Sequence, residues 1–203
     1  MSRSRGPRGL RVGLRVIAGS ARGRRLLAPL GDQVRPTKDI AREAMFSALD
    51  ARGALDDATV LDLYAGTGAL AIEALSRGAA AAVLVERDRA ALAAIEANLR
   101  VLPSEMAAGV AVDVVARDVG RFLAGGPPSD APFDLVFVDP PYETPDEEVT
   151  DLLATLLQPG WLARGAIVSV ERPRRHPVIV PPGLSNRWER SFGDTLLTFL
   201  LLT

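Results

Sequence analysis

The chain has 203 residues, 48% of them hydrophobic and 24% charged, with no cysteine and a single histidine, His176. That supports one globular domain with a core of its own, and it excludes disulfides, thiol nucleophiles, cysteine-ligated metals and a multi-histidine metal site, so no metal is expected. The net charge of −1 hides a segregation: residues 1–42 hold ten arginines and Lys38 against only Asp32 and Asp39, while the rest of the chain is acidic. A basic end of this kind suits a polyanion partner, although on charge alone a solvated, disordered tail is the better reading.

Residues 1–13 are rich in Arg, Gly, Ser and Pro and are expected to form a disordered basic arm. LRVIAG (14–19) and RRLLAP (24–29) read as a hairpin around SARG. Thr37 is placed as the N-cap of a helix over residues 38–52, which completes an N-terminal extension over 14–52. From residue 53 to 203 the chain alternates. Apolar strands are expected at TVLDLYAG, AAVLVE, VAVDVVARD, FDLVFVD and GAIVSVE, with helices between them and two closing strands around Gly193-Asp194. This is an α/β pattern with helices on both faces of a mostly parallel sheet. Ligands of such sheets sit beyond the carboxyl ends of the strands. Asp62–Gly68, Glu86, Asp118 and Asp139–Tyr142 are therefore expected to converge on one edge. No segment has the ~18 consecutive apolar residues of a membrane span, and a cytoplasmic protein is expected.

The first candidate site is Asp62-Leu63-Tyr64-Ala65-Gly66-Thr67-Gly68, a glycine-rich turn from strand to helix. Glycines allow close backbone approach to a ligand, and the helix start adds free N–H groups and partial positive charge. Glu86, twenty residues after Gly66 and at the end of the next strand, is placed to accept from a ribose diol. A dinucleotide and S-adenosylmethionine both fit this frame. Asp62 would repel a pyrophosphate and suits an ammonium and a sulfonium, which favours the methyl donor. Asp118 could accept from an adenine amine or cap the following helix, and the two roles are compatible.

The second candidate site is Asp139-Pro140-Pro141-Tyr142. Two prolines remove backbone donors, leaving the Asp139 carboxylate and the Pro140 carbonyl as a rigid pair of acceptors beside an aromatic ring. Two acceptors on an exocyclic amine of a nucleobase would draw its nitrogen out of conjugation and aim the lone pair, while Tyr142 stacks on the base. An ordinary carboxyl, with a pKa of about 4, is a weak base, so orientation is its first role. Adenine, cytosine and guanine amines all remain open at this point, and the base must leave its stack to arrive.

Taken together, VIAGSARGRRLLAPLGDQVRPTKDIAREAMFSAL, LDLYAGTGALAIEALSRGA, FDLVFVDPPYE and FGDTLLTF resemble the bacterial 16S ribosomal RNA guanine-N(2) methyltransferase family (RsmD) over about residues 14–202. The resemblance implies a class I, Rossmann-like methyltransferase fold with a mostly parallel seven-stranded sheet. It also implies S-adenosylmethionine as donor and a guanine of 16S RNA, of guanine-966 type, in the small subunit or its assembly intermediate. Matched residue by residue, Asp62, Gly66, Gly68, Glu86 and Asp118 fall in the donor site, with Tyr64, Ala65, Thr67, Arg87 and Val119 beside them. Asp139, Pro140, Pro141 and Tyr142 form the catalytic loop. Arg22, Arg24, Arg25, Arg35 and Thr37 match the N-terminal segment and are read as RNA-docking residues from charge and position. Lys38 departs from the Thr or Ser expected after R-P-T. A monomer is expected. His176 and Arg172, Arg174 and Arg175 are read as a solvated loop, Glu171 as a structural or supporting acid, and Trp161 and Trp188 as packing residues.

Overall fold

The computed structural model describes residues 9–30, 36–100, 102–104 and 109–202. It opens with a hairpin of β1 (Leu10–Arg15) and β2 (Arg25–Pro29), followed by α1 (Pro36–Asp50). The alternating part supplies β3 (Thr59–Leu63), α2 (Ala69–Ser76), β4 (Ala81–Glu86), α3 (Arg89–Leu99), β5 (Ala111–Ala116) and α4 (Val119–Leu123). It ends with β6 (Phe133–Val138), α5 (Asp146–Leu156), β7 (Leu162–Pro173), β8 (Leu184–Phe192) and β9 (Thr195–Leu202).

Seven strands form one sheet in the order β5-β4-β3-β6-β7-β9-β8. The first five run parallel, and β9 inserts antiparallel between β7 and β8. Their near-continuous apolar runs follow from burial on both faces. Along β3 and β6, Val60, Leu135 and Phe137 point into a core shared with α1, α2 and α3. Leu61, Leu63, Val136 and Val138 point into the opposite core under α4 and α5. The chain builds outward from β3 to β5 and then returns to place β6 on the other side of β3. The crevice at the carboxyl ends of β3 and β6 is therefore the topological switch point, where an open α/β sheet offers space for a ligand.

The hairpin is bolted to α2 by the segment between its strands. The buried Glu73 carboxylate accepts from the Ile17 and Ala18 amides at 2.7 and 2.9 Å. Ser76 Oγ donates to the Ala18 carbonyl at 2.6 Å and accepts from the Ala21 amide at 2.9 Å. Gly19 is left-handed (φ +78°), and a Cβ there would stand 1.7 Å from the Ser76 carbonyl oxygen. Only glycine allows this approach. Arg77 completes the joint by pairing with both Glu73 and Asp50.

The structure corrects several boundaries. Leu10–Gly13, assigned to a disordered arm from their composition, pair with β2 as part of β1, in register Leu10↔Pro29 and Val12↔Leu27. Their order comes from the ladder, which composition does not report. Residues 1–8 lie outside the described residues. Helix α1 starts at Pro36, so Thr37 lies in its first turn and is not the N-cap. Proline suits that first position because its missing N–H would have no helical partner. Strand β7 runs from Leu162 to Pro173, well beyond the GAIVSVE core, because β6 and β9 pair along its two edges.

Candidate active site

A cleft of about 860 Å³ opens along the carboxyl edge of the sheet, and Asp62, Glu86, Asp118 and Asp139 all face it. Its wall on the α1 side is built by Leu14, Ala28, Asp39, Arg42 and Met45. The N-terminal extension thus helps to form the cleft.

The turn after β3 holds three left-handed residues within five: Tyr64 (φ +63°), Gly66 (+55°) and Gly68 (+74°). The tyrosine pays of order 1 kcal/mol or more for that conformation. Its hydroxyl donates to Glu148 Oε1 at 3.4 Å, across the mouth of the cleft. The two glycines differ in role. Around Gly66 a Cβ would meet only the Tyr64 carbonyl at 3.9 Å, so its surface is open to a ligand. At Gly68 a Cβ would sit 3.0 Å from Leu84 Cδ2 and 3.4 Å from Ile95, so this glycine lets α2 close on the sheet. Ala65, Thr67, Arg87 and Val119 border the cleft, whereas Gly68 does not.

Asp62 is fully buried, with Oδ2 accepting from the Ala71 amide at 3.1 Å. Burial pushes its carboxyl up to about 8; the Ala71 hydrogen bond opposes this, and the negative fields of Asp139 and Glu86 add to it. Glu86 is held by backbone donors: Oε1 accepts from the Arg87 and Asp88 amides at 2.7 and 2.8 Å, and Oε2 from the Gly66 amide at 2.8 Å. This ties the acid to the glycine turn and leaves Oε2, which accepts from the Gly66 amide, with lone-pair capacity. Asp118 caps α4, with Oδ1 accepting from the Arg121 amide at 3.3 Å, and pairs with Arg87 at 2.9 Å.

Past β6, Asp139 is half-buried, Pro140 is buried and Pro141 is exposed. The Thr144 amide donates to the Pro141 carbonyl at 2.9 Å, which closes a turn with Tyr142 at its corner. The Tyr142 hydroxyl is 2.9 Å from Thr195 Oγ1 on β9, so the antiparallel strand fixes the ring.

Arg172 is not a solvated loop residue. Its side chain is 2% exposed, and Nη2 donates to the Thr144 carbonyl at 2.9 Å and to Asp146 Oδ1 at 2.6 Å. His176 Nδ1 lies 3.1 Å from Asp146 Oδ2, so the histidine is half-exposed and engaged in this network. The His176 ring and the Arg172 guanidinium hold the Asp146 carboxyl below its ordinary range. Arg174 and Arg175 are exposed, and Glu171 borders the cleft. Trp161 packs edge-on against Phe122, and Trp188 packs tilted against Phe199.

Sequence reading missed the residues that hold the site in place: Asn98, Glu73, Ser76, Thr195 and Arg172, all buried. A signal existed for the first two, since each is a polar residue on the apolar face of a helix. Buried polar groups keep partners, and here the partners are the glycine turn and the hairpin. Arg22, Arg24 and Arg25 lie exposed on the hairpin and do not border the cleft. Arg35 and the side chain of Thr37 lie outside the described residues.

The family model described as Conserved hypothetical protein 95 matches residues 14–201. Ribosomal RNA small subunit methyltransferase D of Escherichia coli K12 is 40% identical over 158 residues, covering 78% of this chain and 74% of that protein. The protein of the same name from Haemophilus influenzae is 32% identical over 182 residues, 89% of each chain. The solved structure of the E. coli protein yhhF aligns with a TM-score of 0.78 at 36% identity, covering 93% of this chain and 97% of that one. With a model matched over nearly its whole length, two relatives above 30% identity and the seven-stranded class I methyltransferase sheet, this chain belongs to the Conserved hypothetical protein 95 family, that of the ribosomal RNA small subunit methyltransferases D.

Proposed function

We propose that this chain methylates the exocyclic amino group of a guanine in 16S ribosomal RNA, of guanine-966 type, using S-adenosylmethionine, and that it acts in the cytoplasm on the small subunit or its assembly intermediate. One observation carries this reading: the buried Asp62 and the D-P-P-Y acid Asp139 face one cleft, close enough for each to feel the other's charge.

The residues present fit the donor. A buried carboxyl pushed up to about 8 is a site short of positive charge, and an ammonium beside a sulfonium supplies it. Gly66 offers open backbone, Glu86 keeps a free lone pair for a ribose hydroxyl, and Asp118 stands at the end of β5 for the base. When bound, the donor would supply an electrophilic methyl carbon on a sulfonium, with a neutral thioether as the leaving group when the S–C bond breaks.

The chain's own work is to place the nucleophile. Asp139 and the Pro140 carbonyl accept from the two N–H groups of the guanine amine and turn its lone pair toward the cleft. Tyr142, fixed by Thr195, offers a ring face against the base. As the new N–C bond forms, the nitrogen becomes cationic and the nearby Asp139 carboxylate stabilises it. One N–H proton then leaves, to Asp139 or through it to water, and the amine is neutral again. Arg22, Arg24 and Arg25, exposed on the hairpin away from the cleft, provide a basic surface for RNA docking. The described residues contain no helix long and apolar enough to cross a membrane, and no cluster of three metal-ligating side chains.

The test is methyl transfer from labelled S-adenosylmethionine to 30S particles lacking the modification, with free 16S RNA and duplex DNA alongside, followed by nucleoside analysis. The expected product is N(2)-methylguanosine in ribosomal RNA. Label in methyladenine or methylcytosine would keep the chemistry and overturn the substrate. In the same assay Asp139→Ala should lose at least about 100-fold in transfer while binding the donor within a few-fold of wild type. Turnover within a few-fold of wild type would sink the acceptor-pair mechanism.

A further inference from the structure

Arg42, on α1, is a buried cation that nothing so far employs. Its side chain is 7% exposed and borders the cleft. Nη2 donates to the Arg15 carbonyl at 2.8 Å and to Asp39 Oδ1 at 3.2 Å. Nε and Nη1 are buried and have no hydrogen-bond partner. Native proteins pair their buried polar atoms, and a guanidinium cannot shed its proton to escape the cost. Unmatched donors of this kind, beside a cleft, await an anionic acceptor.

The position of Arg42 selects the anion. Helix α1 packs over β6 and β7, where Phe46 meets the Phe137 ring and Met45 Sδ accepts from Ser169 Oγ. Arg42 therefore enters the cleft from the β6–β7 side of β3, the strand that carries Asp62. The other arginines bordering the cleft among the described residues, Arg87 and Arg117, follow β4 and β5 at the Glu86–Asp118 end. Arg87 is 73% exposed and pairs with Asp118. An amino-acid head whose ammonium faces Asp62 carries a carboxylate on the neighbouring carbon, and Arg42 is the arginine on that side. An RNA phosphate rides on a solvated backbone and suits exposed arginines; a guanidinium this deeply buried suits a small ligand enclosed by the cleft.

We propose that Arg42 binds the α-carboxylate of the methyl donor, so that Asp62 and Arg42 together grip its amino-acid end as a zwitterion. This rests on the methyl-donor reading above. It gives α1 and the Arg15 end of β1 a direct part in donor binding, since Arg42 is aimed by the Arg15 carbonyl and by Asp39 one turn earlier.

The test is calorimetric binding of S-adenosylmethionine and of decarboxylated S-adenosylmethionine to the full chain, as wild type, Arg42→Met and Arg42→Lys. Wild type should prefer the carboxylated ligand by at least about tenfold, as expected for a charge-assisted contact. Arg42→Met should lose about that factor for S-adenosylmethionine, with the decarboxylated ligand bound within about threefold of wild type, and Arg42→Lys should fall between. Equal losses for both ligands would make Arg42 a structural residue and overturn the proposal, leaving the donor reading intact. Unchanged donor affinity with weakened RNA binding would overturn it in favour of a phosphate contact. Wild-type chain that binds neither ligand would sink the donor reading and this proposal with it. Should Arg42→Met fail to fold, Arg42→Lys against wild type decides by the same comparison of the two ligands.

Discussion

Asn98 Nδ2 donates to the Thr67 carbonyl at 2.9 Å, so the glycine turn of the proposed donor site hangs from a buried side chain on α3. The same amide pairs with β2: Oδ1 accepts from the Leu27 amide at 2.7 Å and Nδ2 donates to the Leu27 carbonyl at 2.9 Å. One residue thereby locks the hairpin and the turn to each other. Both of its N–H bonds are spent on this task.

Asn98→Leu keeps the volume and strands three backbone groups. Orphaned buried groups cost about 1–3 kcal/mol each, and relaxation of the hairpin recovers part, so a net loss of about 3 kcal/mol is expected. In a chain of this size that lowers the melting temperature by about 6–12 °C. Donor affinity should also fall, by roughly tenfold, because the Thr67 carbonyl no longer fixes the turn. Scanning calorimetry and donor titration check both. A melting temperature within about 2 °C of wild type would mean that Asn98 carries no such load.

Asp62 gives the ligand-free protein a pH dependence. Its folded carboxyl sits at about 8, against an unfolded value of about 4. Between those values the folded state holds a proton that the unfolded state has lost, so stability falls as pH rises from 4 to 8 and levels off above. The limiting slope is about 1.4 kcal/mol per pH unit for one proton. Asp62→Asn removes this slope and keeps an acceptor for the Ala71 amide. The variant should therefore gain on wild type in urea melts as pH goes from 5 to 8, while losing the donor. A stability difference that stays constant with pH would show that Asp62 is already ionised in the fold.

Much of this was legible in the sequence, and the reason differs by element. The strand β6 and its D-P-P-Y exit were readable because a continuous apolar run and two prolines are local signals. The glycine turn was readable for the same reason. Partners distant in sequence were not: Glu73 with Ile17 and Asn98 with Leu27, each more than fifty residues apart, and Arg172 with Asp146, 26 apart, are decided by which elements the topology brings together. The I-A-G segment shows this most clearly. Its match to the family was visible, but its arginine neighbours suggested RNA docking for the whole stretch. In the fold its backbone serves the joint with α2, and Arg22, Arg24 and Arg25 stand exposed on the hairpin.

Those three arginines yield a separable prediction. Replacing all of them with glutamine should weaken RNA binding and flatten its salt dependence, since each lost phosphate contact removes about 0.7 from the slope of log K against log salt for a single strand. The triple variant should lose about 2 in slope. Its melting temperature should hold, because all three side chains are exposed. Coincident slopes for variant and wild type would move the docking surface elsewhere.

Arg172 tests whether the proposed catalytic loop needs an external brace. The D-P-P-Y turn ends at Thr144, and its last carbonyl is held by a guanidinium from β7 that Asp146 also grips. Arg172→Met preserves much of the buried stem and releases both contacts. The turn would then be held by its internal Thr144-to-Pro141 bond and by Tyr142 on Thr195. Small displacements of positioned groups carry large rate penalties, so kcat should fall by about 10- to 100-fold. Donor binding should stay within a few-fold of wild type, because Asp62 and Glu86 lie on β3 and β4 and Gly66 in the turn after β3. A residue that only stabilised the fold would lower melting temperature and leave kcat of the folded fraction intact. Single-turnover transfer and donor titration on folded Arg172→Met separate the two roles, and an unchanged single-turnover rate would assign Arg172 to stability alone.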